Sequence, residues 1–366
     1  MMMSVKRYIW LLFASLPVLL HAQTAPKYSN EFLSIGVGAR ALGMSNAVVA
    51  SSQGVMSGYW NPAAMTELDQ EMEIGLMHAE YFAGVAAFDF GSAIYRLDEK
   101  TVMGGSLIRF GVDNIPNTLD LIDNDGNIRY DRLSAFSASD LAVIFSFARL
   151  SKVKNLSLGG NAKIIRRKAG DFGGAWGFGL DFSALYTTDK WLFAAMAKDV
   201  TSTFNAWSFN QEVLAETWLQ TGNYLPESSL EISLPTLNLG VARRIPIVSK
   251  LSALAEINLY NSFDGKRNTL LKTNFISLDP RAGIEFNWDK KVFLRSGLGQ
   301  FQEIPLSNGE KEHSVQLSIG AGIAFRNFSV DYALSSPGDS NNFYSHVFSL
   351  RYSFDIDTEN SSNARL

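Results

Sequence analysis

Four histidines and no cysteine occur among the 366 residues, which limits the chemistry open to the chain. Without thiols there are no disulfides, thiolate metal sites, lipoprotein anchor or cysteine nucleophile. His78, His313 and His346 are far apart in sequence, and none sits beside a serine and a carboxylate on a polar strand face. A hydrolytic triad or a histidine-built metal centre is therefore unsupported, and the chain reads as a non-enzyme with no cofactor. Gly36, Gly38 and Ala41 have the spacing of a dinucleotide fingerprint, but no βαβ unit surrounds them. Close backbone packing explains those glycines better. Asp123 to Asn127 resembles the start of a calcium loop, yet its sixth position is Ile128 and its twelfth Ser134, where an EF-hand needs Gly and Glu. A turn at Asp125-Gly126 fits instead.

The elements that would position any site alternate with period two. In the last strand His346, Phe348, Leu350, Tyr352 and Phe354 share one face, and Val347, Ser349, Arg351 and Ser353 the other. Fourteen such segments are expected, near 71–79, 86–96, 101–112, 139–150, 156–167, 175–187, 190–198, 236–245, 250–261, 277–288, 291–301, 313–326, 327–336 and 344–354. About 11 residues each suits a tilted membrane strand. Short connections alternate with long ones at 113–138, 199–235, 262–276 and 302–312, the pattern of outer-membrane barrels. Trp176, Tyr186, Trp191, Trp288, Tyr352 and Phe354 lie near segment ends, as an interfacial girdle requires. The polar faces carry Gly, Ser, Asn and the charges Asp89, Arg109, Lys163, Asp181, Glu256, Glu285, Arg295, Asp331 and Arg351, read here as lumenal. A soluble β-sandwich would also alternate, but its outer face should be rich in Lys, Glu and Thr.

The expected fold is an all-β, 14-stranded antiparallel transmembrane barrel. Residues 1–22 read as a signal peptide, with Lys6 and Arg7 before the apolar run Tyr8 to Leu20 and a cut after Ala22. Residues 23–70 lack alternation and read as a hatch or plug in the lumen. The barrel is placed at 71–354 and a periplasmic tail at 355–366. Asn61 is a good helix N-cap and Pro62 suits a first helical position, so 62–67 should be a short helix. Net charge is −4, which gives no basic excess and argues against nucleic acid. The expected setting is the bacterial outer membrane, in contact with its lipid.

The run Gly36-Val37-Gly38-Ala39-Arg40-Ala41-Leu42-Gly43-Met44, with Trp60-Asn61-Pro62-Ala63 after it, resembles the N-terminus of the PorV/PorQ family. Those outer-membrane proteins are associated with type IX secretion and are related in fold to the FadL fatty-acid transporters. The resemblance marks Gly38, Arg40, Gly43, Trp60, Asn61, Pro62 and Ala63 as the hatch motif. Weaker similarity runs through Gly177 to Asp181 and Ser329 to Tyr332. It implies a non-enzymatic barrel that binds secreted cargo or a surface attachment component of type IX secretion through its long loops. The alternative is a FadL-like importer of hydrophobic small molecules, which would need a continuous apolar path. The 199–235 loop, with Phe204, Trp207, Phe209, Trp218 and Tyr224 and a helical pattern over Gln211–Thr221, is the expected partner-contact loop.

Overall fold

The computed structural model describes residues 29–119, 121–123, 125–220, 229–305, 310–335 and 345–356. The expected signal peptide and most of the expected C-terminal tail lie outside them. Every sheet pairing is antiparallel. The strands run β1 Met72–Tyr81, β2 Ala86–Asp98, β3 Thr101–Asn117, β4 Ser134–Leu150, β5 Leu156–Ala169, β6 Gly173–Thr187 and β7 Trp191–Lys198. Then come β8 Thr203–Phe209, β9 Ser229–Ser233, β10 Thr236–Val248, β11 Leu251–Ser262, β12 Leu271–Lys272, β13 Ser277–Trp288, β14 Val292–Pro305, β15 Lys311–Phe325, β16 Phe328–Ser335 and β17 Ser345–Phe354. β1 pairs with β17, so the sheet closes on itself and no edge faces lipid. Fourteen strands form the wall. β8 and β9 carry β7 and β10 outward as a second tier, and β12 is a two-residue addition beside β13. No helix among the described residues is long and apolar enough to cross a membrane.

Glu71 N donates to Asp355 Oδ1 and Ile356 N to Glu71 Oε2, so both barrel ends meet on the rim with the short turns. Outward faces carry the large apolar side chains: Leu76, Phe145, Phe182, Leu294, Leu317 and Phe348 are all exposed. Trp176, Tyr186, Trp191 and Trp288 are exposed as well, in keeping with the expected girdles.

Two expectations need correcting. The 199–235 region is not a free loop, because β8 pairs with β6 and β9 pairs with β8. Only the helix Gln211–Gln220 and its flanks connect them. Asp89 and Arg109 are not lumenal either. On β2 the buried residues are Phe88 and Phe90, which belong to a cluster with Tyr59, Trp60, Val55 and Met77. Two aromatic side chains packed on residues 29–70 set the phase of the strand, and Asp89 between them must face outward.

Candidate functional site

Residues 29–70 lie inside the barrel and are bonded to its wall on nearly every side. Gly36 (φ 102°) and Gly38 (φ 85°) take left-handed conformations, and a Cβ on Gly36 would meet the Asn46 amide and Trp60. Trp60 Nε1 donates to Val37 O at 2.8 Å, folding the segment back on itself. Asn61 Oδ1 accepts from Ala63 N at 3.1 Å and opens the 3₁₀-helix Pro62–Glu67, while its Nδ2 donates to Val49 O at 2.9 Å. The wall supplies matching partners. Ala39 N donates to Ser349 Oγ, Val49 N to Asn258 Oδ1, and Ala63 N to Ser183 Oγ. Ala50 N and Ser51 N both donate to the fully buried Glu256 carboxylate. Glycines make the room: a Cβ on Gly159 would strike the Pro62–Ala63 peptide, one on Gly297 the Met44 carbonyl, and one on Gly320 the Cα of Gly43.

Arg40 anchors the segment electrostatically. Its Nε donates to Glu285 Oε2 at 2.9 Å, and its Nη1 donates to Ser51 O at 2.9 Å. Glu285 also takes Arg295 Nε at 2.6 Å, and Arg295 Nη1 reaches Asp331 Oδ1 at 2.6 Å. Arg351 extends the chain of charges to Asp331 and Glu73, each at 3.9 Å. Glu73 in turn accepts from Val55 N at 2.8 Å. Removing one member of a buried pair typically costs about 3–5 kcal/mol, because the other is left uncompensated.

Above this packed zone lies a cavity of about 850 Å³, lined by both the segment and the wall. Tyr59 and Trp60 form part of its lining, and Lys198 Nζ stands 4.2 Å and 5.6 Å from their ring centroids. Arg281 stacks 4.1 Å over Tyr260 and pairs with Asp279 at 2.9 Å. Where β7 passes into β8, Asp199 and Ser202 have positive φ. Asp199 there accepts from Lys163 Nζ at 2.5 Å, and Lys163 also holds Asp181 at 2.7 Å. On the outer side Arg267 joins Asp264 at 2.6 Å to Glu31 at 3.2 Å, tying the 263–276 connection to the start of the lumenal segment. Most of the lining residues are polar or charged, yet most of the lining surface is apolar, from Leu33, Ile144, Ile232, Leu234 and the aromatic rings under the cations. Among the described residues no group of three or more histidines and carboxylates is placed to hold a metal.

A sequence model described as type IX secretion system protein PorV matches residues 22–213, more than half of the chain. The chain belongs to the PorV family. That match runs from the lumenal segment past β8 into the helix Gln211–Gln220, so it includes Arg40 and the Asn61 turn but not Glu285, the partner of Arg40. Among solved structures, the CymD monoaromatic hydrocarbon channel is similar at TM-score 0.53 and 15% identity, over 88% of this chain and 98% of that one. The Pseudomonas putida toluene transporter TodX aligns at TM-score 0.55 and 14% identity, over 87% and 98%. A Pseudomonas aeruginosa FadL homologue gives 0.51 and 13%, over 87% and 98%. At such identity these likenesses show the fold alone: a FadL-like barrel, integral to the bacterial outer membrane. No curated protein sequence matches the chain. Family membership associates the protein with type IX secretion and gives it no catalytic role.

The PorV-family barrel brings Gly38, Arg40, Gly43, Trp60, Asn61, Pro62 and Ala63 together in the lumen, all buried. The aromatic residues of the second tier are divided. Phe204 is exposed on the outer face of β8, whereas Trp207 and Phe209 face inward, stacked at 6.0 Å, with Arg167 5.2 Å over Trp207. Tyr224 and the Trp218 side chain lie outside the described residues. Sequence reasoning missed Lys198, Tyr260 and Arg281. A cation and its aromatic partners come from different strands, so no spacing along the chain announces them.

Proposed function

We propose that this PorV-family protein serves type IX secretion as a closed docking barrel, which binds secreted cargo or a surface attachment component at its outer rim. Residues 23–70 act as its hatch, 71–354 as the barrel and 355–366 as a periplasmic tail. The observation that carries the reading is the lumenal segment, whose backbone is hydrogen-bonded to strands on different sides of the wall. A barrel filled in this way offers surfaces rather than a route. On the outer rim Tyr130 is 74% exposed and Phe275 80% exposed, in the two connections 118–133 and 263–276. Phe204 of β8 is exposed as well, on another part of the barrel. Exposed aromatic residues commonly anchor protein contacts.

The double variant Tyr130→Ala, Phe275→Ala should keep its fold, because both side chains stand in solvent. Loss of a hot-spot anchor costs about 2 kcal/mol, so capture of secreted proteins from culture fluid should fall at least tenfold. The second reading, import of a hydrophobic molecule, draws on the cavity of about 850 Å³ and the hydrocarbon channels among the fold neighbours. Toluene or fatty-acid uptake is measured on the intact protein in the same experiment. Uptake without any capture of secreted proteins would replace docking by import.

A further inference from the structure

The outward faces of β1, β2 and β3 carry a cluster of ionisable groups where a barrel wall should be apolar. His78, Asp89 and Arg109 are direct neighbours in one row of the sheet. His78 Nδ1 lies 2.7 Å from Asp89 Oδ1, and Arg109 Nη1 donates to Asp89 Oδ2 at 3.2 Å. Glu80 stands one step outward on β1, with only a 4.0 Å approach to His78. Their side chains are 55%, 42%, 43% and 68% exposed, in that order from His78 to Glu80.

The cluster lies within the apolar band. Tyr95 is the exposed aromatic near the inner end of β2, and Asp89 is six residues above it. At ~3.3 Å per residue and a tilt of ~40°, that is roughly 15 Å up a band ~25 Å tall. Apolar residues bracket the charges: Leu76 and Leu107 below, Phe348 beside, and Phe82 and Val85 above, all exposed. Charges facing hydrocarbon are costly and are rarely left uncovered.

The geometry points to a second copy of this chain as what covers them. Glu80 is eight residues past Met72 at the inner end of β1, and Arg109 is eight past Thr101 at the inner end of β3. The two therefore lie at similar depth, on either side of β2. A twofold axis along the membrane normal and through β2 places β1 of one barrel opposite β3 of the other. Each Glu80 then meets the Arg109 of its partner, twice per contact. The apolar residues around the cluster form the surrounding contact, and the β1–β2 turn brings Phe82 to its outer edge. This dimer contact lies on the lipid face and is independent of the outer-rim docking proposed above.

The chain has no cysteine, so a single introduced thiol reports the contact cleanly. Gly91 is on the outward face of β2 next to Asp89, and a Cβ there would meet only Leu76 at 3.5 Å, an ordinary contact. Gly91→Cys, oxidised in isolated outer membranes, should run as a disulfide-linked dimer of this chain. Ala321→Cys, exposed on β15, should stay monomeric. Glu80→Arg should reduce the Gly91→Cys dimer at least severalfold, and adding Arg109→Glu should restore it. Heat-modifiable migration on gels checks that each variant is folded. A folded Gly91→Cys protein that remains monomeric overturns the proposal. So does a crosslink only to a different protein, or a dimer indifferent to Glu80→Arg.

Discussion

Asn61 has two tasks at once, and each can be tested. Its Oδ1 caps the helix Pro62–Glu67, and its Nδ2 satisfies the buried carbonyl of Val49. Losing an N-cap costs about 0.5–2 kcal/mol, and leaving a buried acceptor unpaired adds about 1–3 kcal/mol. Asn61→Ala should therefore loosen residues 29–70 without opening the wall, whose ladder it does not touch. Limited proteolysis of the folded protein in detergent should show faster cleavage in this segment alone. Unchanged cleavage would mean that the other wall contacts hold the segment by themselves. Asn61 and Pro62 were readable from the sequence because a cap is a local device. Arg40 was marked only by resemblance, since its partner Glu285 is 245 residues away.

At the scale of elements, the outer connection 263–276 is locked to the lumenal segment through Arg267. Burial works against the Asp264 charge, but the Arg267 guanidinium beside it more than offsets this and holds the carboxyl below its usual value. A carboxyl lowered on folding contributes stability that is present above its unfolded value of ~3.9 and lost as pH falls through the lowered one. Hydrogen-exchange protection of 263–276 and 29–34, taken relative to the intrinsic rate at each pH, should thus be steady from pH 7 to about 5 and fall only below about pH 4. Asp264→Asn should remove that acid step. A step near neutrality would assign the lock to another group. The second-tier strands β8 and β9 were hidden in the sequence. Helix signals at Gln211–Gln220 stand out between them, and strands of only seven and five residues offer few steps of alternation to read.

For the whole molecule, a lumen filled by its own N-terminal segment should not conduct. In planar bilayers the intact protein should be silent. Deletion of 29–67 exposes Glu256, Glu285 and Arg295, all buried in the intact protein, to a lumen that water can enter. The deleted protein should give discrete conductance steps if it passes the gel test for a folded barrel. Steps of the same size in the intact protein would show that the segment does not close the lumen.

Strand number, alternation, the aromatic girdles and the 62–67 turn could be read from residue order, because each depends on period or on near neighbours. Which face of a strand points inward could not always be read that way. On β13 and β14 the charges Glu285 and Arg295 do face the lumen, where they pair with Arg40. On β2 and β3 the same polarity rule misplaced Asp89 and Arg109, because the interior there is an apolar core of Phe88, Phe90 and Ile108 packed on residues 29–70. The identity of what fills a barrel decides which side chains it buries, and that filling is assembled from residues far apart in the chain. The cavity above it, with Lys198 over Tyr59, arises in the same way. Only the tertiary structure could decide it, since side chains from separate strands meet there through closure of the sheet.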